Sequence, residues 1–222
     1  MTKVLKPRTA EARKRRISTI LRRLNKDYPN VECALHHTSA WQLLAATILS
    51  AQCTDVRVNM VTPGLFEKLP TVEDMASVPQ DVLEQEVKST GFYRNKAKSL
   101  ISAAKGILSD HGGKVPHKMD DLLELSGVAR KTANVVLGTW FGKASGVVVD
   151  THVQRISGRL DFTKQTDPKK IEQDLIKLLP KSRWILYSHQ IIHHGRQVCV
   201  ARKPRCADCS LEDLCYAKDK TV

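Results

Sequence analysis

Four of the chain's six cysteines fall in the run CVARKPRCADCSLEDLC at 199–215, with the spacing C-x6-C-x2-C-x5-C. A segment that crowded must be organised around its thiols. At 222 residues the chain is long enough to bury a real core, as one large domain or two lobes, so disulfides are not needed as a substitute. No apolar run approaches the roughly 18 residues of a membrane span, and no hydrophobic signal region is evident. The expectation is a soluble, cytoplasmic protein (nucleoid-associated in a bacterium) whose thiols stay reduced. Close cysteine spacing there points to a metal. Spacing alone leaves two occupants open, a structural zinc or an iron–sulfur cluster held by four thiolates. Cys33 and Cys53 belong to no motif and read as small core residues.

The first two of those four cysteines enclose Arg202, Lys203 and Arg205. The whole chain carries 36 basic against 23 acidic side chains, a formal charge of +13. That excess suits a polyanionic partner, nucleic acid first. Nine Lys and Arg lie between Lys3 and Arg23, including RKRR at 13–16. This run reads either as part of such a surface or as a solvated, partly frayed first helix. Ile17, Ile20, Leu21, Leu24 and Tyr28 continue it as an ordinary amphipathic helix, which argues against a targeting address.

Nearly all the rest has helical periodicity, so the fold class is all-α. Ser39 followed by Gln42 resembles a capping box opening WQLLAATILS, a run apolar enough to be buried on most sides. Thr54 or Asp55 starts a helix that Pro63 and Gly64 are expected to interrupt. Further periodic stretches cover 81–88, 95–108, 119–125, 131–140, 168–179 and 183–192, and Asp167 before Pro168 is a strong helix start. The one strand-like run is VVVD at 147–150.

Chemistry concentrates in a few places. LLELSGVARKTANVVLGTWFG at 122–142 puts a tight turn, SGVA, between two helical halves. Gly127 permits the turn, and the amides opening the second helix suit a phosphate. Arg130 and Lys131 follow in its first turn, where cations are unfavourable for the helix dipole, so the segment reads either as an ordinary helix–turn–helix corner with solvated charges or as a site that bears this local cost for function. In VDTHVQR, Asp150 is either a simple N-cap or a cap that also presents a carboxylate. HQIIH at 189–193 has the histidine spacing of a zinc-protease helix, but Gln190 replaces the required Glu. These histidines read as packing or polar surface.

Taken together, ILSAQCTD at 48–55, GFYRNKA at 91–97, LSGVARKTANVVL, VVVDTH and the cysteine run closely resemble the endonuclease III family of DNA glycosylases/AP lyases, over residues 17–217. The resemblance implies a two-lobed helix-hairpin-helix glycosylase fold around a DNA-binding cleft. A six-helix barrel lobe would span 33–143 and include the hairpin. A second helical lobe would combine 1–32 with 144–222 and carry a 4Fe–4S cluster on Cys199, Cys206, Cys209 and Cys215. It implies a monomer acting on double-stranded DNA with damaged bases or abasic sites, releasing oxidised or ring-saturated pyrimidines and cleaving 3′ to the abasic site by β-elimination. Lys131 would attack the sugar C1′, its charged form disfavoured by the helix N-terminus and Arg130. Asp150 would take a proton or stabilise the developing positive charge. Gln52 would fill the gap left by the extruded base and Phe92 would wedge the opposite strand. Gly127, Ala129 and Arg130 would meet backbone at the hairpin. Arg202, Lys203 and Arg205 would do so as a basic knob, which the cluster staples in shape.

The family hairpin usually reads LPGVGRKTA, whereas this chain has Ser126 and Ala129, and Phe92 stands where leucine is usual. The Ala129 methyl is expected to hinder close approach to phosphate or to strain a positive φ. Phe92 reads equally as a core aromatic, and the alternative reading of Gln52 is a polar helix end. Two rivals follow: a weakly active or non-enzymatic DNA-binding member of the fold, suggested by Ser126 and Ala129, and an adenine-mismatch glycosylase. The second is disfavoured by Ile48 where that enzyme needs Glu, by the presence of Lys131, and by the expectation of no further recognition domain after Val222.

Overall fold

The structure, a computed structural model, describes residues 6–221, so Lys3 of the basic run lies outside the described residues. Among the described residues there are eleven α-helices and no strand. They form two compact units, one of residues 33–145 and one of 1–32 with 146–222. The first holds α2 (Ala40–Leu49), α3 (Asp55–Lys68), α4 (Val72–Ser77), α5 (Gln80–Val87), α6 (Tyr93–His111), α7 (Met119–Glu124) and α8 (Arg130–Thr139). The second holds α1 (Ala10–Asp27), α9 (Thr151–Arg159), α10 (Pro168–Leu178) and α11 (Trp184–Gln197). Each unit has its own core. In the first, Leu43, Leu44, Leu49, Leu83, Leu100 and Ile107 are fully buried, with Cys33 and Cys53 packed against them. In the second, Ile20, Leu24, Ile171, Leu175, Tyr187 and Ile191 are.

Local signals explain most helix starts. The Thr54 hydroxyl accepts from Arg57 N, and Asp167 accepts from Lys170 N ahead of Pro168. Ser39 caps α2 by accepting from Gln42 N, but the Gln42 side chain closes on Thr38 instead, accepting from its N at 2.8 Å and its hydroxyl at 2.9 Å. Three expectations need correction. First, α3 runs unbroken through Pro63 and Gly64 to Lys68, because Val58, Thr62 and Leu65 on one face are all buried across the proline. That packing outweighs the lost backbone bond, of order 3 kcal/mol. Second, VVVD is irregular. Val147 and Val149 are buried as they cross the second core, and no neighbouring strand exists among the described residues to pair with them.

Third, the basic first helix is not simply solvated. Arg13, Lys14 and Arg15 are exposed, but Arg16 donates to the carbonyl oxygens of Leu160 (2.7 Å) and Leu214, with its guanidinium 4.2 Å from the Tyr216 ring centre. Arg23 donates to Ser210 O at 2.6 Å and pairs with Asp213. The helix therefore clasps the C-terminal loop.

Candidate functional site

The hairpin joins α7 to α8 through Leu125–Ala129. Gly127 has φ +77°, and a Cβ there would lie 2.8 Å from Ser99 Cβ, so only glycine lets the turn seat against α6. Ala129, the N-cap of α8, has φ −89° and ψ 169°. This extended backbone corrects the expectation of strain, since a methyl is accommodated without cost. No side chain caps α8 and no acidic residue occupies its first turn, which leaves the positive end of the helix dipole without a carboxylate. Lys131 is exposed in that first turn, one residue past the partly buried Arg130.

Asp150 lies in the other unit, as the N-cap of α9. Its Oδ1 accepts from Val153 N at 2.8 Å, while Oδ2 has no hydrogen bond among the described residues. The capping reading is thus correct, and it uses only half of the carboxylate. The Gly195 backbone of α11 packs so closely on α9 that a Cβ would fall 2.6 Å from His152 Nδ1.

From the same helix Arg155 donates to Cys199 O (3.0 Å) and Gly195 O (3.2 Å). Arg159 donates to Val200 O at 2.9 Å and to the Cys199 sulfur at 3.1 Å. The four thiols of Cys199, Cys206, Cys209 and Cys215 border one cavity together with Arg159 and Lys220. Burial, reinforced by the other three thiols, pushes the Cys209 thiol up to about 11, and burial likewise raises Cys215. Four thiolates can be held there only with added positive charge, which iron supplies. By their chemistry alone, four thiols lining one cavity can hold either a structural zinc or an iron–sulfur cluster.

The loop between the first two cysteines is tightly made. Arg205 N donates to Val198 O at 2.9 Å, Lys203 adopts φ +53°, and Pro204 is buried. Arg202, Lys203 and Arg205 are all exposed and make no ion pair among the described residues. In the first unit, Gln52 is exposed with φ +53° in the turn after α2, so it is not a helix end. Phe92 has φ +49° and is 63% exposed, so it is not a core aromatic.

Several residues without a sequence motif matter at the thiol cavity. His194, one place beyond HQIIH, sits with Nε2 3.6 Å from the Cys209 sulfur and Nδ1 3.1 Å from the Tyr28 hydroxyl. Burial pushes its imidazole down to about 4, so it is neutral at neutral pH. Within HQIIH itself, Gln190 is fully buried, accepting from Arg183 and donating to Tyr28 O.

Residues 45–181 match the HhH-GPD superfamily of base excision DNA repair proteins, and residues 199–215 match the iron–sulfur binding domain of endonuclease III. The chain is 51% identical to the endonuclease III of Synechocystis sp., over 94% of this chain and 95% of that one. It is 44% identical to that of Bacillus subtilis, over 93% and 94%. A solved structure of a trapped endonuclease III–DNA covalent intermediate matches with a TM-score of 0.86 at 42% identity, covering 91% of this chain and 95% of that one. The cavity bordered by the four cysteines is accordingly the seat of a 4Fe–4S cluster. The chain therefore belongs to the endonuclease III family, the DNA glycosylase/AP lyases of base excision repair.

Proposed function

We propose that this enzyme releases oxidised or ring-saturated pyrimidines from duplex DNA and then cleaves the strand, with Lys131 as nucleophile and Asp150 as its acid–base partner. The observation that carries this reading is the exposed amine in the first turn of an uncapped helix behind a glycine turn. A solved relative trapped as a covalent DNA intermediate supports it. The neutral amine of Lys131 attacks C1′, the glycosidic bond breaks, and the base departs with the bonding electrons. Asp150 takes the proton lost by the attacking nitrogen, using the oxygen its cap leaves over. That proton then passes to O4′ as the C1′–O4′ bond breaks and the sugar ring opens, and the iminium so formed acidifies C2′–H; loss of the C2′ proton expels the 3′ phosphate by β-elimination. Gly127, Ala129 and Arg130 hold backbone at the hairpin, and Gln52 and Phe92 occupy the duplex around the extruded nucleotide. The cluster's chemistry here is to bind four thiolates and fix the loop. The enzyme acts as a monomer. Ala129 is unstrained, so backbone strain at the hairpin gives no support to a weakly active binder. Borohydride trapping on an abasic duplex tests the reading; absence of an adduct would refute it.

Asp150 allows a sharp separation of cap from chemistry. Asparagine caps as well as aspartate, whereas alanine costs about 1 kcal/mol. Asp150→Asn should therefore keep the melting temperature of the parent but slow single-turnover base release severely, and Asp150→Ala should lose both. If Asp150→Asn retains full rate, the carboxylate is only a cap.

The basic loop should meet phosphates. Arg202→Ala with Arg205→Ala should weaken binding to damaged and undamaged duplex by similar factors, and flatten the log–log salt slope by about 0.9 per lost contact. Single-turnover rate at saturating enzyme should be unchanged. A salt titration on both duplexes decides it, and a loss confined to damaged DNA would mean that the loop reads the lesion.

A further inference from the structure

Lys96 is only 5% exposed in the first unit, although its side chain ends in an amine. Burying an ammonium is costly unless it is paired or does something specific. No carboxylate pairs with it among the described residues. Its Nζ donates to the carbonyl of Thr90 at 2.8 Å, and Thr90 is itself buried, its hydroxyl donating to Val87 O at 2.8 Å. Burial lowers the lysine's pKa, and the thiol of Cys53 is near enough to act in the opposite sense.

Two exposed corners flank this lysine. The first is Gly91–Phe92, with φ +71° and +49°. Phe92 is the N-cap of α6 in a left-handed conformation that is strained for an ordinary residue, and no side chain caps the helix. Lys96 brackets this corner from both sides. Its backbone N donates to Phe92 O at 3.1 Å, and its side chain reaches past the corner to Thr90 O. The second corner is Gln52, immediately before Cys53, where Cys53 N closes the turn on Ser50 O at 3.1 Å. Gln52 and Phe92 are two of four non-glycine residues with positive φ among the described residues.

We propose that Lys96 is a positioning residue for base extrusion, whose buried amine, bonded to the Thr90 carbonyl, fixes the projection of Phe92. This inference rests on the reading that Phe92 enters the duplex beside the extruded nucleotide. It goes beyond that reading by making the action of Phe92 depend on a buried lysine behind it. The buried amine is explained because a side chain of equal length without a donor would leave the Thr90 carbonyl buried and unsatisfied, and would release the strained corner.

The test uses full-length, cluster-loaded enzyme as parent, Lys96→Met, Phe92→Ala and the double variant. Two probes are compared: a duplex with a ring-saturated thymine opposite adenine, and a single strand with an abasic site, where nothing need be extruded. Lys96→Met should slow single-turnover base release from the duplex by roughly ten- to a hundredfold, the scale of an ångström-level misplacement. It should leave borohydride trapping on the single strand unchanged. Because Lys96 acts through Phe92, the double variant should be no slower than Phe92→Ala alone. A merely structural lysine would depress both probes equally, and that result, or additive losses, overturns the proposal. Should Phe92→Ala slow the duplex reaction while Lys96→Met does not, the inference alone fails; if neither has an effect, the wedge reading falls and takes the inference with it. If Lys96→Met does not fold, Lys96→Gln, which keeps a donor on a shorter stem, is measured in the same way against the same criteria.

Discussion

Lys131→Gln should abolish borohydride trapping on abasic duplex and reduce single-turnover base release by about 10³-fold or more, the scale on which loss of a nucleophile is felt. The fold should not suffer. Lys131 is exposed, and substitutions at such positions usually change stability by no more than about 0.5 kcal/mol. The sign can be stated as well. A cation in the first turn of a helix opposes the macrodipole, so its removal should leave the melting temperature equal or slightly raised. DNA binding should persist, because removing one cation gives up at most one backbone contact and flattens the salt slope by no more than about 0.9. The combination identifies chemistry: no adduct, normal melting, near-normal binding. Undiminished trapping would place the reactive amine elsewhere, and a parallel loss of binding and adduct would make Lys131 a phosphate contact.

What could be read in advance depended on how far apart in sequence the cooperating residues lie. The cysteine run, the SGVA turn and the caps at Thr54, Asp150 and Asp167 are signals spanning a few residues, and each is set by local geometry. Short α4 was missed: six residues show no apolar period, and its capping box closes with Asp74 rather than Glu or Gln. Pro63 misled because its local penalty is visible in sequence while the buried face that overrides it is not. Arg16 looked like one more basic residue in RKRR, yet it holds carbonyls at Leu160 and Leu214. Arg159 and His194 carry no motif and meet the thiols only after α9 and α11 pack together. Lys96 belongs to the quoted stretch GFYRNKA, but its burial beneath the Phe92 corner is a tertiary fact.

Cys209→Ser should cost the protein its iron and, with it, most of its soluble yield. The segment 199–215 contains only two short 3-10 turns, Cys206–Asp208 and Glu212–Leu214, and one fully buried apolar anchor, Leu211. Little in it can offset the entropy of fixing so many residues, of order 1–2 kcal/mol each for the backbone. Bound structural metal in small domains contributes on the order of 10 kcal/mol, comparable to the whole stability of a typical protein. The damage should also spread through α9, since Arg155 and Arg159 donate to carbonyls of residues 195–201 that the cysteine loop keeps in place. With that loop released, two partly buried guanidiniums lose their acceptors, and such losses cost more than the bonds themselves were worth. Parent protein should contain about four iron and four sulfide per chain, as four thiolate corners imply. Cys33→Ala, at a half-buried cysteine packed on the core of the other unit, should keep that content and so serve as the control. Iron and acid-labile sulfide analysis alongside thermal unfolding makes the comparison. A Cys209→Ser protein that keeps its full iron and melts like the parent would show that the cysteine loop is held by its own hydrogen bonds, and the cluster would then need a role other than holding the basic loop in shape.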